Sequence, residues 1–302
     1  MKIAITGGAG YIGSAVAEKL SFLTEVEEVR VFDNLSLGNK DFFFHTHLNK
    51  EKIKFIEGDI LETRKLPKLL KDIDVLVHLA SFETSASDNA SLHRLEQVNH
   101  WGTAELSFAI ENSGIKRVIH LSTHEVYGFS FEAKTESFEA TPETPFAVSK
   151  LRGESQITRL KDKLNTVVLR PGTVVGHSAV KNISGVANKM FYDALIKKRV
   201  SIHGDGKQIR PVVSLSYLIS TIEHAVSGHL SSDIYNVYQA NISVLDILDD
   251  LKSVLPETEF IFTNHHFSLP HISLATKFGD ILPKQEFSLK NEYEQILKYF
   301  RI

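Results

Sequence analysis

No cysteine occurs among the 302 residues. That removes disulfides, thiolate metal sites, iron–sulfur clusters and a cysteine nucleophile together. An excess of either charge is also lacking: 34 Lys+Arg stand against 37 Asp+Glu, a formal net charge of −3. So even a balance gives no general attraction for nucleic acid or for an anionic membrane. No run of 18 residues is free of charge, so no membrane-spanning helix is expected. The apolar run at the N-terminus breaks at Thr6, Gly7 and Gly8, unlike a signal peptide. These absences leave a soluble protein, expected in the cytoplasm, with length for one large domain or two smaller ones.

What is present is a rhythm of short apolar runs separated by helical spacing. Met1–Thr6, Glu28–Phe32, Ile53–Glu57, Val75–Leu79, Lys116–Leu121 and Thr166–Leu169 read as strands, with helices at Ser14–Leu23 and Glu96–Asn112. Apolar strands joined by helical crossovers predict an α/β fold, a doubly wound parallel (Rossmann) sheet covered on both faces. After Arg170-Pro171-Gly172 the rhythm changes. A helix near 187–197, a strand near 200–203, a Gly-rich turn at 204–206 and a strand before Val213 predict a smaller α/β lobe. Ile234–Val237 is expected to return to the main sheet, with helices near 244–255 and 290–300 beyond it. The expected division is 1–172 plus 233–242 for the larger domain, and 173–232 plus 243–302 for an interleaved smaller lobe.

Between the first strand and the first helix runs Thr6-Gly7-Gly8-Ala9-Gly10-Tyr11-Ile12-Gly13. A turn this tight needs residues without Cβ, and its backbone then approaches a pyrophosphate at the helix N-terminus. Asp33 closes the second strand 20 residues after Gly13. A carboxylate there accepts hydrogen bonds from adenosine ribose hydroxyls and repels a 2′-phosphate. No arginine follows it directly, so NAD is favoured over NADP.

With these segments the chain resembles the extended short-chain dehydrogenase/reductases, of the NAD-dependent sugar-nucleotide epimerase/dehydratase family. The likeness runs over nearly the whole length. Gly7, Gly10, Tyr11, Ile12 and Gly13 fall in that family's glycine motif, and Asp33-Asn34 in the segment after its second strand. Asp59 and Ile60 resemble its adenine-contacting turn, and Leu79-Ala80 its segment beside the nicotinamide ribose. Asn99, Ser122, Lys150 and Pro171 complete the implied cofactor set. For substrate the resemblance implies Ser81, Thr123, Arg210 and His203, with the Arg210 fork on a diphosphate. It also implies an enzyme that transiently oxidises C4 of a nucleoside-diphosphate sugar with tightly held NAD, acts as a homodimer, and ends in epimerisation or dehydration.

One residue departs from the pattern. The family carries Tyr-x-x-x-Lys on a helix, a spacing that puts both side chains on one face. Here Phe146 and Lys150 occupy those places. Phenylalanine keeps the ring and loses both the acidic proton and the acceptor. Loss of a positioned base costs about 10² to 10⁴ in rate, so binding is expected to survive and redox turnover to be crippled. Three explanations stand: a deliberate substitution that traps substrate, a natural protein that binds nucleotide sugars without turning them over, or another base such as Tyr127, His124 or water.

Thr123 corresponds to the family's hydroxyl that bonds the sugar 4-OH. Glu125 stands as the base at C5 or, with equal claim, as a group that only positions substrate or faces solvent. His124 stands where family dehydratases carry an acid, so imidazolium would have to protonate the departing 6-hydroxyl. Of the 14 histidines, His45/His47 and His265/His266 are close pairs without a carboxylate pattern of ligand spacing. They are expected at the surface, with no metal. Phe42-Phe43-Phe44 is expected to pack under the loop after the cofactor turn.

Overall fold

In the computed structural model, which describes residues 1–37, 40–84, 88–182 and 185–300, the apolar runs are strands. β1 (Lys2–Thr6) leads to α1 (Tyr11–Ser21), β2 (Glu28–Asp33), a 3₁₀ turn (Lys40–Phe44), β3 (Ile53–Glu57), α2 (Leu66–Leu70) and β4 (Val75–His78). Next come α3 (Asn89–Leu95), a π-helical stretch (Glu96–Gly102), α4 (Thr103–Glu111), β5 (Arg117–Leu121), a 3₁₀ turn (His124–Tyr127) and α5 (Pro145–Thr158). β6 (Asn165–Pro171), β7 (Thr173–Val175), α6 (Val186–Lys197), β8 (Arg199–His203), β9 (Ile209–Ser214) and α7 (Leu215–Val226) follow. The chain then forms β10 (Asp233–Val237), β11 (Ala240–Ser243), α8 (Val244–Val254), β12 (Glu259–Thr263) and α9 (Leu289–Lys298). Among the described residues no helix is long and apolar enough to cross a membrane.

Seven strands form one sheet in the order β10-β6-β5-β4-β1-β2-β3, every pairing parallel. The chain winds outward in both directions from the β1/β4 junction, which leaves a crevice at the carboxyl ends of those strands. Strand alternation divides the apolar residues between two cores. Ile3, Ile5, Val31 and Val77 join Val16 and Leu20 of α1 and Leu218 and Ile222 of α7. Ala4, Leu76 and Val118 join Leu69 of α2, Leu106 of α4 and Ile157 of α5. α7 falls inside the range 173–232, yet its apolar face packs on the main sheet beside α1. A separate core of Phe191, Ile202, Leu251 and Tyr293 binds α6, β8, α8 and α9. β7 and β11, of 3 and 4 residues, are too short to show a period, and they flank β9.

The helix expected over 96–112 starts earlier, at Asn89, because the Asp88 carboxylate caps it, accepting from Ser91 N at 2.9 Å. Its π-helical middle lies where α5 presses closest. A Cβ on Gly153 would sit 2.2 Å from Asn99 O, so α5 reaches this position only with glycine. A polar seam runs beneath. The Thr6 hydroxyl donates to His78 Nδ1 (2.7 Å), His78 Nε2 donates to Thr103 Oγ1 (3.0 Å), and Thr103 gives its proton to Asn99 O (2.8 Å). Beside it the His120 ring lies 5.0 Å from that of His78, with both nitrogens buried and unpartnered.

Two expectations need correction. His45 is buried, with Nε2 3.0 Å from Glu18 Oε2, while His47, His265 and His266 are exposed. Apolar packing below the loop draws in Phe42 and leaves Phe44 80% exposed, so the aromatic triplet packs only at its first residues. A methyl at position 153 has no free space, so Gly153→Ala should lower unfolding free energy by about 1–3 kcal/mol, read by urea denaturation. Wild-type stability in that variant would show that the Asn99 turn yields.

Candidate active site

The crevice has a cofactor side and a substrate side. On the first, Gly7 (φ +70°) passes so close to β4's end that a Cβ would lie 2.6 Å from Ala80 N, and one on Gly13 would lie 2.2 Å from Gly7 O. Gly10 caps α1 without a side-chain hydrogen bond, and no acidic residue sits in the first turn. Backbone amides at such a helix start suit an anion. Ile12, Leu79 and Ala80 line the same wall. Tyr11 lines it too, but its hydroxyl donates to Gly176 O at 2.8 Å and so braces the smaller lobe.

Asp33 stands at the β2 edge with Oδ2 accepting from Ala9 N (3.0 Å) and Oδ1 from Leu35 N (2.8 Å). Burial pushes its carboxyl above the usual range, and Asp59 adds to this. Asn34 Nδ2 donates to Asp59 Oδ2 at 2.7 Å, which ties the segment after Asp33 to the next turn, where Ile60 packs on Gly102. The glycine cradle, the uncapped helix start and Asp33 together fit a dinucleotide such as NAD.

On the substrate side, α5 begins with Thr144, whose hydroxyl accepts from Ala147 N (3.1 Å) and donates to Glu125 Oε2 (3.4 Å). Four residues apart on the inward face, Phe146 and Lys150 both line the cleft. Phe146 is half-buried in its wall and presents no hydroxyl to the cleft. Lys150 Nζ donates to Leu121 O at 2.7 Å. Burial lowers its ammonium to about 8, against the opposing pull of Glu154 and Glu83.

Ser122, Thr123 and His124 leave the end of β5 in sequence. Ser122 Oγ is buried without a partner, and Thr123 Oγ1 accepts from Glu125 N at 3.2 Å. His124 Nδ1 donates to Pro171 O (2.9 Å), which leaves Nε2 as an acceptor. Burial pushes this imidazole down to about 4, and Arg210 adds to the shift. It is therefore neutral at pH 7, which works against the imidazolium acid expected for dehydration. Burial raises the Glu125 carboxyl, with Thr144 and Arg210 opposing.

Arg210 also lines the cleft, its Nη1 donating to Ile209 O (2.7 Å) and Pro270 O (2.9 Å). Three residues lie elsewhere. Asn99 is buried behind the wall, its amide holding Phe82 N (2.8 Å), Phe82 O (2.8 Å), Ser81 Oγ (3.1 Å) and Ser149 Oγ (3.0 Å), so it positions the Ser81 loop. His203 is exposed at the end of β8, outside the cleft lining. Tyr127 points its hydroxyl at Asn236 Oδ1 (2.8 Å) and lies under Arg170, away from the cleft. It is no substitute base.

Glu83, Glu143 and Thr144 were not foreseen as lining residues. Thr144-Pro145 carries a helix-start signature that could have found the third; Glu83, in a loop without periodicity, carries none. Among the described residues no group of three or more His, Asp or Glu could hold a metal.

The Lys150 environment has a measurable consequence. Between about pH 8 and the ordinary lysine value of 10.5, only the unfolded chain keeps this proton, so unfolding free energy should rise with pH across that window. Lys150→Met should flatten the rise in urea titrations at pH 7.5 and 10; identical slopes in both proteins would contradict the shift.

Residues 3–237 match the model of the NAD dependent epimerase/dehydratase family. A dTDP-D-glucose 4,6-dehydratase of Dictyostelium discoideum is 26% identical over 84% of this chain, which spans only 62% of that enzyme's length. A UDP-glucose 4-epimerase of Mycolicibacterium smegmatis is 29% identical over 74% of this chain and 73% of its own. Among solved structures, UDP-glucuronic acid 4-epimerase from Bacillus cereus in complex with UDP-glucuronic acid and NAD superposes with a TM-score of 0.85, at 26% identity, over 99% of this chain and 100% of that one. A tyrosine-to-phenylalanine mutant of that enzyme, in complex with UDP-4-deoxy-4-fluoro-glucuronic acid and NAD, superposes equally well. The glycine cradle, the Asp33 edge and the Lys150 helix thus sit in a chain that belongs to the NAD-dependent epimerase/dehydratase family of sugar-nucleotide enzymes.

Proposed function

We propose that this chain is a nucleoside-diphosphate-sugar enzyme working through transient C4 oxidation, with its redox step suppressed by Phe146. Bound NAD supplies the hydride acceptor. The chain's residues supply binding and orientation: Arg210 offers a planar fork for the diphosphate, Thr123 a hydroxyl for the sugar 4-OH, and Lys150 a cation at the ribose. What is lacking is the phenol oxygen that the family's tyrosine would offer the 4-OH proton, since the Phe146 ring has no lone pair. Neutral His124, its Nδ1 proton held by Pro171 O and its Nε2 left as an acceptor, favours epimerisation over dehydration, because Nε2 carries no proton at pH 7 for a leaving hydroxyl. A homodimer and a cytoplasmic setting go with this reading; exposed Trp101 and Phe108 offer apolar surface for a second copy, and light scattering at twice the chain mass would bear that out.

The observation that carries the reading is Phe146 in the cleft wall one turn from Lys150. It also supports the second reading, a protein that binds NAD and nucleotide sugar without turnover. Phe146→Tyr separates the two. Incubated with NAD and a panel of UDP-, GDP- and dTDP-sugars, the tyrosine form should turn over at least about 10²-fold faster than Phe146 protein. NMR of the product then distinguishes a C4 epimer from a 4-keto-6-deoxy sugar. Tight binding without turnover in either form would favour the binding protein, and failure of both forms to bind NAD would remove the whole reading.

A further inference from the structure

We infer that the sugar end of the cleft is a charge filter, in which Glu83 and Glu125 admit a neutral hexose and turn away a uronate. This deepens the nucleotide-sugar reading and rests on it. Both carboxylates line the same cavity as Thr123, Phe146 and Lys150, and Glu83 lies within the field of Glu125. Desolvation raises the Glu125 carboxyl, and Glu83, although its side chain touches solvent, is raised by desolvation and by the charge of Glu125, so the cavity already resists the negative charge it holds.

The cations there are committed. Among the described lining residues these are Lys150 and Arg210. Lys150 donates to Leu121 O and stands in the fields of Glu154 and Glu83. Arg210 spends Nη1 on two backbone carbonyls and faces Glu125, and its remaining donors are those a diphosphate needs. A sugar carboxylate entering this end would bring a further negative charge to two existing ones, with no cation left to it. A hydroxymethyl group in its place can donate to either glutamate. Ser122 Oγ, buried and without a partner on the same wall, is a further group that a ligand hydroxyl would satisfy.

The test is calorimetric, on NAD-loaded protein. UDP, dTDP and GDP are titrated first to identify the nucleotide held, and then its glucose and glucuronate esters, which differ only at C6. The glucuronate ester should bind at least about tenfold more weakly, the scale of one unfavourable charge contact. In a Glu83→Gln/Glu125→Gln protein the ratio should fall to within about threefold, and Glu83→Gln alone, a same-size change at a solvent-touching side chain, should give an intermediate ratio. Thermal melting confirms that each variant folds. Equal affinity for the two esters in the unsubstituted protein, or a ratio unmoved by the glutamines, overturns the filter while leaving the nucleotide-sugar reading intact. Binding of none of the three nucleoside diphosphates removes that reading and the filter together.

Discussion

The active end of this molecule depends on holding one ammonium group in a place that disfavours it. Lys150 Nζ is buried and donates to the last carbonyl of β5, at Leu121. To bring it there, α5 must start at a fixed point and lie tight against its neighbours. Thr144 fixes the start, and Gly153 permits the contact with the π-helical turn. One turn beyond Lys150, Glu154 forms a buried pair with Arg170 (Nε–Oε2 3.1 Å), placing a carboxylate whose field favours the ammonium. Burial still prevails and the proton is held less firmly than on a free lysine.

Much of this was legible from the chain because it rests on short-range rules. The glycine turn is readable since only residues without Cβ tolerate such approach, and the collisions found at Gly7 and Gly13 are its physical content. Asp33 follows from a strand end and its distance from the glycine turn, while Thr123 and the Phe146/Lys150 pair are read from the family resemblance, with helical periodicity placing the last two on one face. What was not legible is set by tertiary packing. Asn99 carries a family position yet serves as a clamp on the Ser81 loop, a role written in partners from separate segments of the chain. His45 looked like a surface residue because its partner, Glu18, lies on a helix far back in the chain. Glu83 occupies a loop with no period at all, and only the folded cleft brings it near Glu125.

Phe146 gives the cleft shape without acid–base chemistry. Its benzene ring forms part of the wall and offers no lone pair to receive a proton. The nearby groups do not supply a phenol either. Tyr127 is turned to Asn236, and Lys150 donates to a backbone carbonyl. His124 Nε2 is a neutral acceptor on that wall, its direction set by the Pro171 carbonyl.

The seam from Thr6 through His78 to Thr103 and Asn99 has a further consequence. Each proton in it has one place to go, so the three bonds run in a single direction from the first strand to the π-helical turn. Burial keeps His78 uncharged down to about pH 3. The link therefore holds its parts in register without any ion, and neither added salt nor mild acid reaches it. The cofactor side and the lysine helix are joined by a tie that the solution outside does not tune.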